Sequence, residues 1–105
     1  MSNKELSACA SPPDIRYLAQ FNLNCLVVFA TIYIERNITR TSEVLSISQP
    51  AVSNSLCKLR TQFNDRLFYR RDRQMVPTVT ADEIAKTLLP LLGDFQSLLN
   101  RFTEN

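Results

Sequence analysis

A chain of 105 residues with 45% apolar side chains and a single glycine has the makings of one helix-rich domain with a modest core, which excludes disordered, collagen-like and loop-dominated classes. It has no histidine, no glycine-rich phosphate loop and no clustered carboxylates, so no nucleophile pair, nucleotide site or metal site can be assembled; no enzyme activity, metal or cofactor is expected. The net charge of +2 is unevenly spread: residues 1–20 are neutral, 21–80 carry +4 and 81–105 carry −2, with six cations between positions 58 and 73, which points to a polyanionic partner.

Residues 1–13 are rich in Ser, Ala, Asn and Pro without periodicity and predict a flexible arm. We draw the arm over 1–20 and place a short helical lead-in over 14–21. A helix is predicted over 23–36 with Asn22 as its cap. That helix is apolar nearly all round, so it needs cover on two sides, and a partner subunit is a candidate for the second. Its apolar run over 25–34 is too short to span a bilayer, so no membrane association is expected. Cys9, Cys25 and Cys57 are odd in number and far apart, which argues against a disulfide framework and for a reducing cytoplasm.

Thr39 is placed to cap a short helix over 40–45, with Ile38, Val44 and Leu45 facing inward. Ser46-Ile47 makes a turn, and Ser48 caps the next helix, with Pro50 in its first turn. Val52, Leu56, Leu59 and Phe63 recur at spacings of four, three and four, a buried stripe on a helix running to about position 63. Pro50, Asn54, Cys57, Lys58 and Thr61 fall on the opposite side, with Gln49 and Ser53 beside them. The two helices are joined too closely to lie antiparallel, which makes a helix-turn-helix. Small hydrogen-bonding side chains at a helix start, with cations further along, suit the major groove of DNA.

Asn64-Asp65 reads as a turn, and the apolar runs 67–69 and 75–76 flank a charged tip, predicting a two-stranded wing. Thr80-Ala81-Asp82-Glu83 has the pattern of a capping box. The helix it opens carries Ile84, Leu88, Leu91, Phe95, Leu98 and Phe102 in alternating steps of four and three, a heptad seam. A second stripe, Ala85, Leu92 and Leu99, runs beside it. One stripe is expected to pack on the domain and the other on a partner helix, with a kink at Pro90. The fold class is therefore mainly α: a winged helix-turn-helix of three helices and a two-stranded wing over 21–79, then a long linker and dimerisation helix over 80–105.

These residues together resemble the N-terminal domain of LysR-type transcriptional regulators over about four-fifths of the chain. Asn22-Leu23-Asn24 with Leu26 and Phe29 is similar to that family's opening helix, and 38–45 to its second. Ser48-Gln49-Pro50-Ala51-Val52-Ser53 matches its Ser-Gln-Pro-Ala-x-Ser signature, and Leu67-Phe68-x-Arg70 its Leu-Phe-x-Arg. Residues 37–40, 53–54, 63–65 and 76–78 are closer still to the subgroup of nodulation and leucine-operon regulators. The resemblance implies a homodimer with an antiparallel linker coil. It also implies a full regulator that continues into an effector-binding domain of roughly 200 residues, so small-molecule sensing is expected outside this sequence. Three departures stand out: Thr41-Ser42 replaces the usual Ala-Ala at the contact of two helices, 71–74 lacks the usual wing-tip glycines, and Cys57 stands where a polar or basic residue is usual.

On this reading the partner is double-stranded DNA. Gln49, Pro50, Ser53 and Asn54 are candidates for base contacts, since Gln pairs bidentately with adenine and Pro offers apolar contact to a thymine methyl. Thr39, Arg40, Ser48, Lys58 and Arg60 are candidates for phosphates. Arg70, Arg71 and Arg73 on the wing are candidates for a flanking minor groove. Ile84, Leu88, Leu91, Leu92, Phe95, Leu98, Leu99 and Phe102 are the dimerisation set. The alternative is a short interaction protein that dimerises with a longer relative and modulates it without itself binding DNA.

Overall fold

The computed structural model describes residues 12–103, so most of the arm expected over 1–20 lies outside the described residues. The lead-in forms one turn, α1 (Ile15–Leu18), capped by Asp14, whose carboxylate accepts the Tyr17 amide at 3.2 Å. Then come α2 (Leu23–Glu35), α3 (Ile38–Leu45), α4 (Gln49–Phe63), the antiparallel hairpin β1 (Phe68–Arg71) and β2 (Gln74–Pro77), and α5 (Val79–Thr103). This is the winged helix-turn-helix with a long C-terminal helix expected from the patterning.

Side-chain caps set where the helices start. Asn22 accepts the Asn24 amide at 2.7 Å and Ser48 the Ala51 amide at 3.1 Å, as expected. Thr39 is not a cap. Asn37 accepts the Arg40 amide at 2.7 Å, and α3 opens two residues earlier than the sequence reading placed it. Asn and Thr are both good caps, and the one that sits before an inward apolar residue, Ile38, prevails. The capping box over 80–83 likewise does not open α5. The helix begins at Val79, with the Thr78 hydroxyl accepting the Ala81 amide at 3.1 Å.

The joints between elements are made without glycine. Arg36, Ser46 and Asn64, at the C-caps of α2, α3 and α4, have φ of 58°, 56° and 53°, and Leu67 and Asp72 have 67° and 59°. The one glycine, Gly93, lies within α5. Asp72 thus supplies the left-handed residue that a glycine would ordinarily supply at the wing tip.

The core centres on α2, from which Cys25, Val28, Phe29 and Ile32 meet Val52, Leu56 and Leu59 of α4, Leu67 and Phe68 at the wing root, Met75 of β2, and Ala81 and Ala85 of α5. Because α3, α4, β2 and α5 all pack on α2, the second cover comes from the same chain and not from a partner; of its apolar residues only Leu23 and Ile34 stay exposed. On α3, Ile38, Thr41, Ser42 and Leu45 share the inward face at steps of three, one and three. Val44 falls off that face and is 46% exposed, contrary to expectation. Thr41 and Ser42 are buried without orphaned hydroxyls, donating to the Asn37 and Thr39 carbonyls at 2.8 and 2.7 Å.

On α5 the division between domain and free surface runs along the length of the helix instead of between two parallel stripes. Ala81 and Ala85 are buried, and Ile84, Leu88 and Leu89 pack on the core. Ile84 and Leu88, expected in the dimer seam, are thus used within the protomer. Beyond Pro90, through which the helix runs without a break, Leu91, Phe95, Leu98, Leu99 and Phe102 are 58%, 41%, 47%, 44% and 72% exposed.

Candidate nucleic-acid interface

The inward stripe of α4 (Val52, Leu56, Leu59) is buried against α2, which forces the opposite side of the helix outward. Gln49, Pro50, Ser53, Asn54, Cys57 and Lys58 are all exposed there. At the N-terminal end Ser48 spends an acceptor on the Ala51 amide, leaving its O–H free to donate.

The wing packs on α2 and α5, and its register decides which of its arginines join the exposed face of α4. Phe68 pairs with Pro77, Tyr69 with Val76, Arg70 with Met75 and Arg71 with Gln74, leaving Asp72-Arg73 as the turn. Side chains alternate along a strand, so Arg70 shares a face with buried Phe68 and Met75, while Arg71 shares the other with Tyr69. Arg70 and Arg73 therefore close a polar notch with Asn37, Ile38, Thr39, Gln49 and Ser53. Five of the candidates, one of α3, two of α4 and two of the wing, are brought together there, with no carboxylate in the lining. Arg71 is not among them.

Arg40 stays 60% exposed at the side chain, within 3.5 Å of Glu35 and 3.6 Å of Glu43. Exposed pairs of this sort are worth at most about 1 kcal/mol, so its guanidinium remains free to exchange partners. Lys58 lies further along α4, lining a groove with Gln62, residues 19–21 of the lead-in and the start of α2. There Gln62 donates to the Gln20 carbonyl at 2.6 Å, and the Phe21 and Phe63 rings lie 6.1 Å apart. Arg60 is placed otherwise than expected. It is half-buried and donates to the Arg66 and Phe68 carbonyls at 2.6 and 2.8 Å. Burial, and then the charge of Arg66, push its pKa down.

Two residues to which the sequence assigns no tertiary role, Tyr33 and Asp65, hold the surroundings of the face in place. The Tyr33 hydroxyl donates to Asp82 at 2.8 Å, tying α2 to α5, and that bond, followed by burial, pushes the phenol pKa up. Asp65 accepts the Leu67 amide at 2.7 Å and the Thr78 hydroxyl at 2.8 Å. These bonds, with one from Thr80, hold its carboxyl below its ordinary value of 3.8, the Leu67 amide contributing most. A carboxylate held down in this way stabilises the fold fully above that ordinary value and loses the contribution as pH falls through the lowered one. The expected result is a difference in Tm between wild type and Asp65→Asn that is constant near neutrality and closes on acidification. Thermal melts across the acid range check it, and a gap that widens with acid contradicts it.

A helix held by its buried side against a three-helix core, a polar notch at its start and a basic hairpin beside it define a winged helix-turn-helix module. Residues 23–82 match the family described as bacterial regulatory helix-turn-helix protein, lysR family, and the chain belongs to that family. It is 45% identical over 74 residues to the HTH-type transcriptional regulator LeuO of Escherichia coli, covering 70% of this chain and 23% of that protein. It is 44% identical over 83 residues to the HTH-type transcriptional activator NahR of Pseudomonas putida, covering 79% and 27%. Among solved structures, the probable transcriptional regulator PA0477 of Pseudomonas aeruginosa superposes with a TM-score of 0.78 at 33% identity, over 81% of this chain and 28% of that one. The chain thus spans about a quarter of the length of the relatives it matches.

Proposed function

We infer that this chain is the DNA-binding and dimerisation portion of a transcriptional regulator. The observation that carries the reading is the polar notch, where Thr39, Gln49, Ser53, Arg70 and Arg73 converge from three elements around an exposed helix start. Relatives named as transcriptional regulators and activators support it. In this reading α4 enters the major groove, with Gln49, Pro50, Ser53 and Asn54 at base edges. Thr39, Arg40, Ser48 and Lys58 meet phosphates, and Arg70 and Arg73 meet the flank. The exposed second half of α5 pairs with its copy in a homodimer, which sets two half-sites at a fixed spacing.

The test is a gel shift with a salt titration. Direct binding gives a log K that falls steeply with log salt, by about 0.9 per phosphate neutralised. Gln49→Ala or Ser53→Ala is expected to cost about 1–3 kcal/mol on a selected duplex and less on random DNA. Equal loss on both removes the base-reading role. Absence of any shift at moderate salt favours the interaction-only alternative.

A further inference from the structure

At the root of the wing, backbone groups are held by two charged side chains that do not line the notch. Arg60 of α4 donates from Nε to the Arg66 carbonyl and from Nη2 to the Phe68 carbonyl, so one guanidinium grips both sides of Leu67. Asp65 accepts the Leu67 amide and the Thr78 hydroxyl, while the Leu67 carbonyl accepts the Thr78 amide at 2.9 Å. Leu67 itself is fully buried at a φ of 67°, a basin that side-chain-bearing residues disfavour. The Phe68 amide also donates to the Arg66 carbonyl at 2.7 Å, closing a tight turn across Leu67 in that disfavoured basin. The side chains of Arg60 and Asp65 hold this turn and with it the offset between α4 and β1.

We propose that Arg60 and Asp65 are positioning residues for DNA readout: they hold the wing at one offset from α4, so that Arg70 and Arg73 meet flanking sequence in register with the bases met by Gln49 and Ser53. The inference rests on the DNA-binding reading above. Arginine suits the task because its planar fork reaches two carbonyls at once, whereas lysine is a point donor. An Arg60 that touched phosphate instead would add to affinity on every sequence alike and to its salt dependence. The two roles therefore make opposite predictions.

Duplexes are selected from a random pool with the wild-type chain and then set between A·T-rich or G·C-rich flanks. Kd is measured against salt for wild type, Arg60→Met and Arg60→Lys, and backbone amide exchange is followed in the free proteins. Arginines favour the narrow minor groove of A·T tracts, so wild type prefers those flanks. In Arg60→Met that preference collapses toward unity, with an unchanged salt slope and faster exchange at residues 68–77 but not in α2. Arg60→Lys retains part of the preference, and it carries the test alone if the Met variant fails to fold. A salt slope shallower by about 0.9, with equal loss on both flanks, makes Arg60 a phosphate contact and overturns the proposal. So does a flank preference that is the same in all three proteins, or absent in wild type. Failure of wild type to bind any duplex instead removes the DNA reading on which the proposal stands.

Discussion

Replacing Leu91 and Phe95 together by lysine is expected to leave the protomer folded and to abolish its self-association. Both residues lie on the exposed half of α5, Leu91 at 58% and Phe95 at 41%, and neither belongs to the core, so the domain loses little when they change. Burial of a large apolar side chain is worth about 1.5–3 kcal/mol, and two-fold symmetry counts each substitution twice. Only about half of each side chain is left to bury, so roughly 3–6 kcal/mol is removed from the proposed dimer, before the cost of desolvating four ammonium groups, which weakens association by at least about a hundredfold. Sedimentation velocity reads the outcome directly, with circular dichroism as the check on folding. Wild type that sediments as a monomer at tens of micromolar would contradict a dimer seam on α5. Binding to paired half-sites should fall with the dimer, while contact with a single half-site persists.

Phe29→Ala carries the largest expected loss of stability. Phe29 is fully buried, its ring 5.4 Å from Phe68 and 6.3 Å from Tyr33, so it joins α2 to the root of the wing. Truncating a buried Phe costs about 3–5 kcal/mol, against a total of about 5–15 kcal/mol for an ordinary domain. Urea unfolding should show a much lower midpoint, or a chain already partly unfolded in buffer. Phe29→Leu, which keeps most of the volume, should cost less than about half as much. A loss below about 1 kcal/mol for the alanine variant would mean that the aromatic cluster is not the keystone that the packing indicates.

Much of this architecture is legible in the sequence because long apolar periodicities constrain it. The stripe Val52, Leu56, Leu59 and Phe63 specifies both a helix and the side it must bury, and the exposed face with Gln49 and Ser53 follows by subtraction. What patterning could not decide were choices between equal local signals. Asn37 and Thr39 are both competent caps, and so are Thr78 and Thr80; packing of Ile38 in one case and Ala81 in the other settles them. The chemistry of Val44 points it inward, while the helical steps from Ile38 to Leu45 turn it out and bury Thr41 and Ser42.

Arg60 is the more instructive case. Its place in a basic cluster suggested a phosphate contact, but charge clusters say nothing about direction, and the carbonyls it meets belong to residues six and eight positions away. Asp65 reads in the sequence only as a turn former; its bond to Thr78, thirteen residues on, leaves no local trace. On the wing, strand alternation was available from the sequence, but which arginines it turned toward α4 depended on the register. Similarly, the heptad seam of α5 was visible, while the point where it leaves the domain surface was not.

The joints between elements have one more consequence. Five residues with side chains hold left-handed backbone at the ends of three helices, at the root of the wing and at its tip, where glycine would allow many alternatives. A side chain narrows the conformations open to each joint, in the unfolded chain as well as the folded one. These joints hold a disfavoured conformation only because the surrounding packing and hydrogen bonds fix it. In the proposed complex the face of α4 and the wing therefore has little backbone freedom left to lose, and association should draw mainly on the contacts themselves.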